Sequence, residues 1–216
     1  MPSTMIHLVI ANKIIDRIDT SHSGEFYLGV IAPDAVNVNG KAPKEIRYCA
    51  HLRSTDYNEW INNVLEFSKN NANIKKKTPD FFKGFLIHIL TDIAWDQIIQ
   101  PKLFELMKSS GIDETKLNEK KWNELLAFDK EAVKLEVWRE KIRPLLKSAY
   151  APCGFTVDKK DIDEYKNSVV DMKFIPPNTQ TSFGLISDDM INTAAKQVFE
   201  LYESLRNAQN STIGIK

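Results

Sequence analysis

The stretch that decides the fold is TPDFFKGFLIHILTDIAWDQII, at residues 78–99. Thr78 suits an N-cap, Pro79 is tolerated at the first helical position, where its missing N–H would have no partner, and Asp80 favours the positive end of the helix dipole. Residues 81–99 are apolar on most sides. This pattern predicts a central, largely buried helix.

Outside this stretch the apolar spacing is also helical nearly everywhere. We predict further helices at about residues 3–19, 54–70, 113–146 (as one helix or two), 158–172 and 187–207, with N-caps at Ser3 or Thr4, Ser54 or Thr55, Asp158 and Ser187. A short apolar element covers residues 26–32. Residues 37–51 contain Pro, Gly and Asn without clear periodicity and are predicted to be loop. The sequence therefore predicts an all-α fold, a single-domain helical bundle over residues 1–208 with a frayed tail at 209–216.

Composition limits the classes of function. Lys plus Arg and Asp plus Glu both number 29, so the formal net charge is zero and no footprint for duplex nucleic acid or an anionic membrane stands out. The start of the sequence lacks an export-signal pattern, and no apolar run is as long as a membrane span, which predicts a cytoplasmic protein without a transmembrane segment. Two cysteines are too few for a disulfide framework and are predicted to be ordinary thiols.

Two polar residues, His88 and Asp92, interrupt the apolar helix. Their spacing of four places them one turn apart on the same face. A buried carboxylate is costly without a partner, so Asp92 needs a cation, a strong donor or water. His7, His51 and Asp34 add two imidazoles and a carboxylate from elsewhere in the chain. Imidazole nitrogen and carboxylate oxygen suit Zn²⁺, so the five-member set predicts a metallohydrolase with its metal cluster between core helices.

Each member of this set also has an ordinary structural interpretation. His7 alone would be a core histidine bonded to backbone, and Asp34 would be an N-cap or turn residue. His51 would belong to a surface loop, and His88 would form a plain hydrogen bond within a buried helix. The fourth histidine, His22, is flanked by serines in a polar loop and is predicted to be structural. For His88 with Asp92 the apolar surroundings already favour a metal site, and for the other members only the combination does.

Four segments of the first half also match a known family in order and spacing: MPSTMIH at residues 1–7, FYLGVIAPD at 26–34, His51, and GFLIHILTD at 84–92. Together they resemble the zinc-dependent phospholipase C family, which is itself similar in fold to single-strand nucleases. The resemblance covers the chain to about residue 101. It implies an all-helical fold whose core helices converge on a cluster of zinc ions.

Carried over residue by residue, the resemblance implies metal ligands at His7, Asp34, His51, His88 and Asp92. Asp92 would bridge two ions, and Asp34 would double as the catalytic proton acceptor. The implied activity is hydrolysis of phosphate esters, above all phosphodiesters, by a metal-activated water and without a protein nucleophile. The substrate would be a small-molecule or lipid phosphate ester.

The chain departs from the family pattern after this helix face. Many relatives have a further histidine there, whereas no histidine follows His88 in this chain. Asp96 shares the face of His88 and Asp92 and is predicted to substitute as an oxygen ligand, with Asp129 as a more distant candidate. We therefore expect one or two Zn²⁺ ions.

Two rival functions remain open. A metal phosphohydrolase of the HD type also clusters His and Asp on helices, but no histidine of this chain is directly followed by Asp. The other rival is a non-catalytic metal-binding helical module that presents its surface to another protein. Retained zinc with an open coordination position would favour catalysis over the module.

Overall fold

The computed structural model describes residues 1–21, 23–179 and 184–213, with side chains to residue 209, so that His22 lies outside the described residues. Within these ranges the chain is all-α and contains no β-strand, which confirms the predicted fold class. The helices are α1 (Thr4–Ile14), α2 (Gly24–Ile31), α3 (Lys44–Ala50), α4 (Tyr57–Asn70), α5 (Ala72–Lys77), α6 (Pro79–Ala94), α7 (Gln100–Ser109), α8 (Leu117–Ala132), α9 (Arg143–Ser148), α10 (Lys159–Val170) and α11 (Asp188–Ile213). None of those described combines the length and apolar character that crossing a bilayer requires.

Helix α6 is the central helix that the sequence predicts. All of its residues except Pro79 and Lys83 are buried, and it packs against α1, α2, α4, α5 and α11. The helix continues through a wider turn at Trp95–Ile99 into α7, where the N–H of Gln100 bonds to the carbonyl of Trp95 five residues earlier. Pro101 explains the wider turn, because it has no N–H and its ring would clash with the carbonyl four residues before it.

Helices α2 and α6 cross very closely because each has a glycine at the crossing. A Cβ on Gly29 would lie 2.1 Å from the carbonyl oxygen of Phe81, and a Cβ on Gly84 would lie 2.0 Å from that of Phe26. Both distances are far below van der Waals contact. Only glycine at both positions permits the two backbones to approach in this way.

Replacing Gly84 with alanine is expected to destabilise the protein by about 3 kcal/mol, the upper end of the usual cost of overpacking. The added methyl group meets backbone atoms of α2, which can move only if the whole helix moves. Denaturant unfolding measures the change. Lys83→Ala, at the half-buried neighbouring position, is the control and should cost less than about 1 kcal/mol. Equal stabilities of the two variants would contradict the close crossing.

Several local predictions are wrong. Residues 44–50 form α3 and not loop; only Ala50 of this helix is buried, so it has no apolar period that a sequence pattern can reveal. The N-cap of α4 is Asp56, whose carboxylate accepts the N–H of Glu59 at 2.8 Å, and not Ser54 or Thr55.

Two of the predicted caps do not cap with their side chains. The Thr78 hydroxyl donates to the Ile74 carbonyl oxygen at 3.1 Å, and the Ser3 hydroxyl donates to a carboxylate of α8. In both cases the hydroxyl donates to another acceptor and does not accept an N–H from the first turn of its helix.

Other local predictions are confirmed. The Asp158 carboxylate accepts the N–H of Lys160 at 2.7 Å at the start of α10, and the Ser187 hydroxyl accepts that of Met190 at 3.3 Å at the start of α11. The long segment at residues 113–146 forms two helices, α8 and α9, of which α9 extends to Ser148. The end of helix α11 differs from the prediction, because the helix runs past the predicted start of the tail to Ile213. Residues 214–216 lie outside the described part of the chain.

Candidate metal centre

The five predicted imidazoles and carboxylates meet at one point inside the helical domain. Helix α1 provides His7, the C-terminal end of α3 provides His51, and α6 provides His88 and Asp92. These four residues are at most 1% exposed. Asp34, in the turn after α2, is the outermost member, with a side chain 17% exposed.

Asp92 lies at the centre of the set. Its Oδ1 is 3.5 Å from Nε2 of His7, and its Oδ2 is 3.7 Å from Nε2 of His88 and 3.8 Å from Nε2 of His51. These separations are long for hydrogen bonds. Two ligands that each lie about 2.1 Å from a tetrahedral zinc ion are about 3.4 Å apart, so the separations are close to those of atoms around a shared cation.

Two overlapping groups of side chains are each able to hold an ion. The first comprises His7, His88 and Asp92, and the second comprises Asp34, His51 and His88; within each group the ligand atoms lie within 4.8 Å of one another. His88 belongs to both groups. The predicted ligands are thus brought together as two adjoining groups.

Backbone carbonyls orient two of the histidine rings. Nδ1 of His88 lies 2.6 Å from the carbonyl oxygen of Val30, and Nδ1 of His51 lies 2.8 Å from that of Arg47. Because a carbonyl oxygen only accepts, each Nδ1 must carry a proton. Nε2 is therefore the nitrogen left for a cation in both rings. In His88 it faces Asp92, whereas in His51 it lies 3.3 Å from Oδ1 of Asp34 and donates to that carboxylate when the ring is protonated. Histidines that bind metal are commonly oriented in this way.

The same contact limits what His88 can do. With Nδ1 committed to Val30, its ring has only Nε2 for a cation. The two groups in which it takes part therefore compete for one nitrogen. A second ion would depend on the remaining donors, with Asp92 as the carboxylate that reaches towards both groups.

Five buried polar atoms of the site have no hydrogen-bond partner among the described residues. They are both ring nitrogens of His7, Nε2 of His88 and both carboxylate oxygens of Asp92. Each such atom costs about 1–3 kcal/mol, and more when the group is charged. A cation at this point would satisfy several of them at once. A structural hydrogen bond between His88 and Asp92 would not, which favours the metal-site interpretation.

The protonation states of His88, Asp92 and Asp34 suit a cation. Burial, reinforced by the neighbouring His7, lowers the pKa of His88 to about 3, so its ring is neutral. Burial alone would raise the pKa of Asp92, but the nearby His7 and His88 rings outweigh it and hold this pKa below its ordinary value. Burial is likewise outweighed at Asp34, whose pKa is lowered by the hydrogen bond with His51. Ionised carboxylates and neutral imidazole are the forms that bind metal. His51 differs: burial alone would lower its pKa, but the hydrogen bond with Asp34 and the charge of Asp92 raise it, so this ring would release a proton when a cation binds.

A cleft of about 920 Å³ connects the site to solvent. Asp34 is the one member of the five that lines it; the other four are buried. A ligand in the cleft therefore reaches the site at Asp34.

Asp96, predicted as a further ligand, lies in neither group. Its Oδ2 is paired with the guanidinium of Arg53, and its Oδ1 is 3.4 Å from the amino nitrogen of Met1. Two cationic partners thus already occupy the carboxylate. Asp96 is therefore not part of the proposed ligand set.

Asp129, the more distant candidate, has a structural contact that the sequence did not suggest. Its Oδ1 accepts the hydroxyl of Ser3 at 2.5 Å and the N–H of Met5 at 3.2 Å. A carboxylate of α8 therefore caps the N-terminus of α1 and fixes the start of the helix that carries His7.

Sequence reasoning missed the carbonyl groups that orient the rings. Arg47 precedes His51 by four residues, a spacing that would have suggested the contact if α3 had been predicted as a helix. The Val30 carbonyl reaches His88 from another helix, and no sequence signal marks it.

Comparison with known proteins adds no relative: no family model, no curated protein and no solved structure matches the chain. Function has to be inferred from the site itself, since packed helices support many chemistries.

Proposed function

We propose that this protein is a zinc-dependent hydrolase of phosphate esters, above all phosphodiesters, as its resemblance to the zinc-dependent phospholipase C family implies. The observation that supports the proposal is the convergence of three imidazoles and two carboxylates, one of which, Asp34, lines an open cleft. In two of these imidazoles, those of His51 and His88, a backbone carbonyl directs Nε2 towards the common point.

The donor set favours zinc among the common biological cations. Magnesium and calcium prefer oxygen ligands, whereas three of the five donors here are imidazole nitrogens. The set contains no thiolate, which soft metals prefer. Imidazole with carboxylate is a ligand combination that zinc uses in hydrolytic sites.

His7, His88 and Asp92 would hold the first ion, with Asp34 and His51 beside it. When bound, zinc supplies a Lewis acid that polarises a phosphoryl oxygen and lowers the pKa of water to about 7. Asp34, ionised and in contact with the cleft, accepts the proton of the attacking water. The buried apolar residues of α6 keep bulk water away from the imidazoles of the site.

Hydrolysis of bis(4-nitrophenyl) phosphate tests the proposal. Purified protein is stripped with a chelator, reconstituted with zinc, and assayed against this diester and against the monoester 4-nitrophenyl phosphate. We expect turnover of the diester that disappears on chelation, returns with zinc and exceeds turnover of the monoester. A His88→Gln preparation made in parallel controls for contaminating phosphatases.

Elemental analysis of the same samples separates the alternatives. One or two zinc ions per chain together with turnover supports the hydrolase. Bound zinc without turnover of either ester would exclude it and leave the metal-holding module. Protein that binds no zinc would exclude both the zinc-dependent hydrolase and the zinc-binding module.

A further inference from the structure

The cleft beside the metal site is far more basic than the protein as a whole. Three carboxylates line it, against six cationic residues: Lys41, Lys44, Arg47, Arg53, Lys121 and Lys173. The whole chain has a formal net charge of zero. Positive charge is therefore concentrated where a ligand would enter.

Some of these cations already have a protein partner. Arg53 is paired with Asp96, and Nζ of Lys173 lies 2.9 Å from Oδ2 of Asp171. Each of these ion pairs has no net charge, so its cation attracts an anionic ligand less strongly. The cations that remain for a ligand are Lys41, which precedes α3, Lys44 and Arg47 on α3, and Lys121 on α8.

Lys121 on α8 is the most informative of these residues, because it is only 7% exposed. Its ammonium donates to the amide oxygen of Gln100 at 3.1 Å and forms no salt bridge with any carboxylate in the described ranges. Burial lowers the pKa of this lysine. The nearby Asp96 is shared with Arg53, so the three groups together retain one positive charge. A buried cation without its own counterion is costly, and an anionic ligand group would offset that cost.

Helix α3 adds positive charge on the same cleft. Nζ of Lys44 lies 4.9 Å from the centre of the Tyr48 ring, and Nε of Arg47 donates to the Ala42 carbonyl oxygen at 3.0 Å. Among the described residues neither side chain forms a salt bridge with a carboxylate. Arg47 also orients His51 through its carbonyl, so one short helix links the basic cleft to the metal site.

The size of the cleft favours a small molecule. Its volume of about 920 Å³ falls within the range of small-ligand pockets, about 300–1,000 Å³. Trp122 lines the cleft with a side chain that is 48% exposed, which provides an apolar surface for the organic part of a ligand. Lys121 and Asp34 line the same cleft, so an anionic group at Lys121 and a reacting phosphate beside Asp34 would belong to one small molecule.

We propose that the substrate is a small, soluble phosphate ester with a second anionic group, a carboxylate or another phosphate, and that Lys121 binds this second group. The assignment of the reacting phosphate to the metal centre rests on the proposed function. A zwitterionic lipid headgroup would leave the ammonium of Lys121 without a counterion, so the charge of the cleft favours the soluble ester.

A matched pair of ligands tests the proposal by isothermal titration calorimetry on the zinc-reconstituted protein. 3-Phosphoglycerate and glycerol 3-phosphate have the same phosphate and carbon number, but only the first has a carboxylate. We expect 3-phosphoglycerate to bind about 10-fold more tightly, as expected for one added charge-assisted contact. Lys121→Met should remove this preference and leave the affinity for glycerol 3-phosphate unchanged.

Two further variants define the controls. Lys121→Arg keeps the charge and should keep the preference, while Lys116→Met removes an exposed lysine that does not line this cleft and should change neither affinity. Equal binding of the two ligands by the wild-type protein would overturn the proposal even if Lys121→Met does not fold. Equal weakening of both ligands in folded Lys121→Met would also overturn it, as would tighter binding of a single-stranded oligonucleotide or of phosphatidylcholine vesicles.

This experiment does not depend on turnover. If the diester is not hydrolysed but the carboxylate preference depends on Lys121, the proposed reaction is wrong and the binding site for a second anion stands. If the diester is hydrolysed and the preference is absent, only the second anion is excluded.

Discussion

Asp92→Asn is expected to abolish the rise in melting temperature that zinc produces in the wild-type protein. A ligand at 100 times its dissociation constant stabilises the folded state by about 2.7 kcal/mol. For a chain of this length that corresponds to about 5–10 °C. One or other oxygen of Asp92 lies within 3.8 Å of Nε2 of each of the three imidazoles, so its loss removes the central charge of the site. Thermal unfolding of chelator-treated protein with and without added zinc measures the rise.

Asp96→Asn is the matched control for this measurement. Asp96 lies one turn after Asp92 on the same continuous helix but is paired with Arg53 and Met1. The variant should keep the zinc-induced rise, although its starting stability falls with the lost ion pairs. A full rise in Asp92→Asn would disprove the proposed centre. Loss of the rise in Asp96→Asn would restore that residue as the oxygen ligand that the sequence predicted.

The second large effect is expected from Asp34→Asn. We expect kcat for bis(4-nitrophenyl) phosphate to fall about 10²- to 10⁴-fold, the usual contribution of a positioned proton acceptor. The zinc-induced rise in melting temperature should largely persist, because His7, His88 and Asp92 remain in place. Steady-state kinetics and thermal unfolding on the same preparation separate the two roles of Asp34.

Ser168→Ala serves as the control for Asp34→Asn, since Ser168 is a half-buried polar residue that also lines the cleft. It should change kcat by less than about threefold, because no group of the site depends on it. If Asp34→Asn lost zinc-induced stability as completely as activity, Asp34 would act as a ligand and not as a separate proton acceptor.

The fold was predictable where its signals are local. Pro79, an acidic first turn and a long apolar run lie within one segment and together predict helix α6. Helix α3 does not, because a seven-residue helix with one buried residue leaves no periodic pattern. That omission also hid the position of Lys44 and Arg47 on the cleft.

The identity of the candidate ligands was accessible from sequence, but their arrangement was not. Donor chemistry and the family resemblance name His7, Asp34, His51, His88 and Asp92. Their separations depend on how closely the helices pack, and for α2 and α6 the glycine crossing sets this distance through backbone contacts. The positive charge of the cleft could not be predicted from a sequence whose net charge is zero, because the cations that line the cleft come from segments far apart in the chain.

The single free nitrogen of His88 has a consequence for how the protein would behave in a cell. Two cations cannot share one lone pair, so the positions they occupy are unequal by construction. If the protein binds two ions, the first would be held more tightly, so a low supply of zinc would empty the second position first. If the proposed hydrolysis requires both ions, its rate would fall at low zinc while the first ion still stabilised the fold.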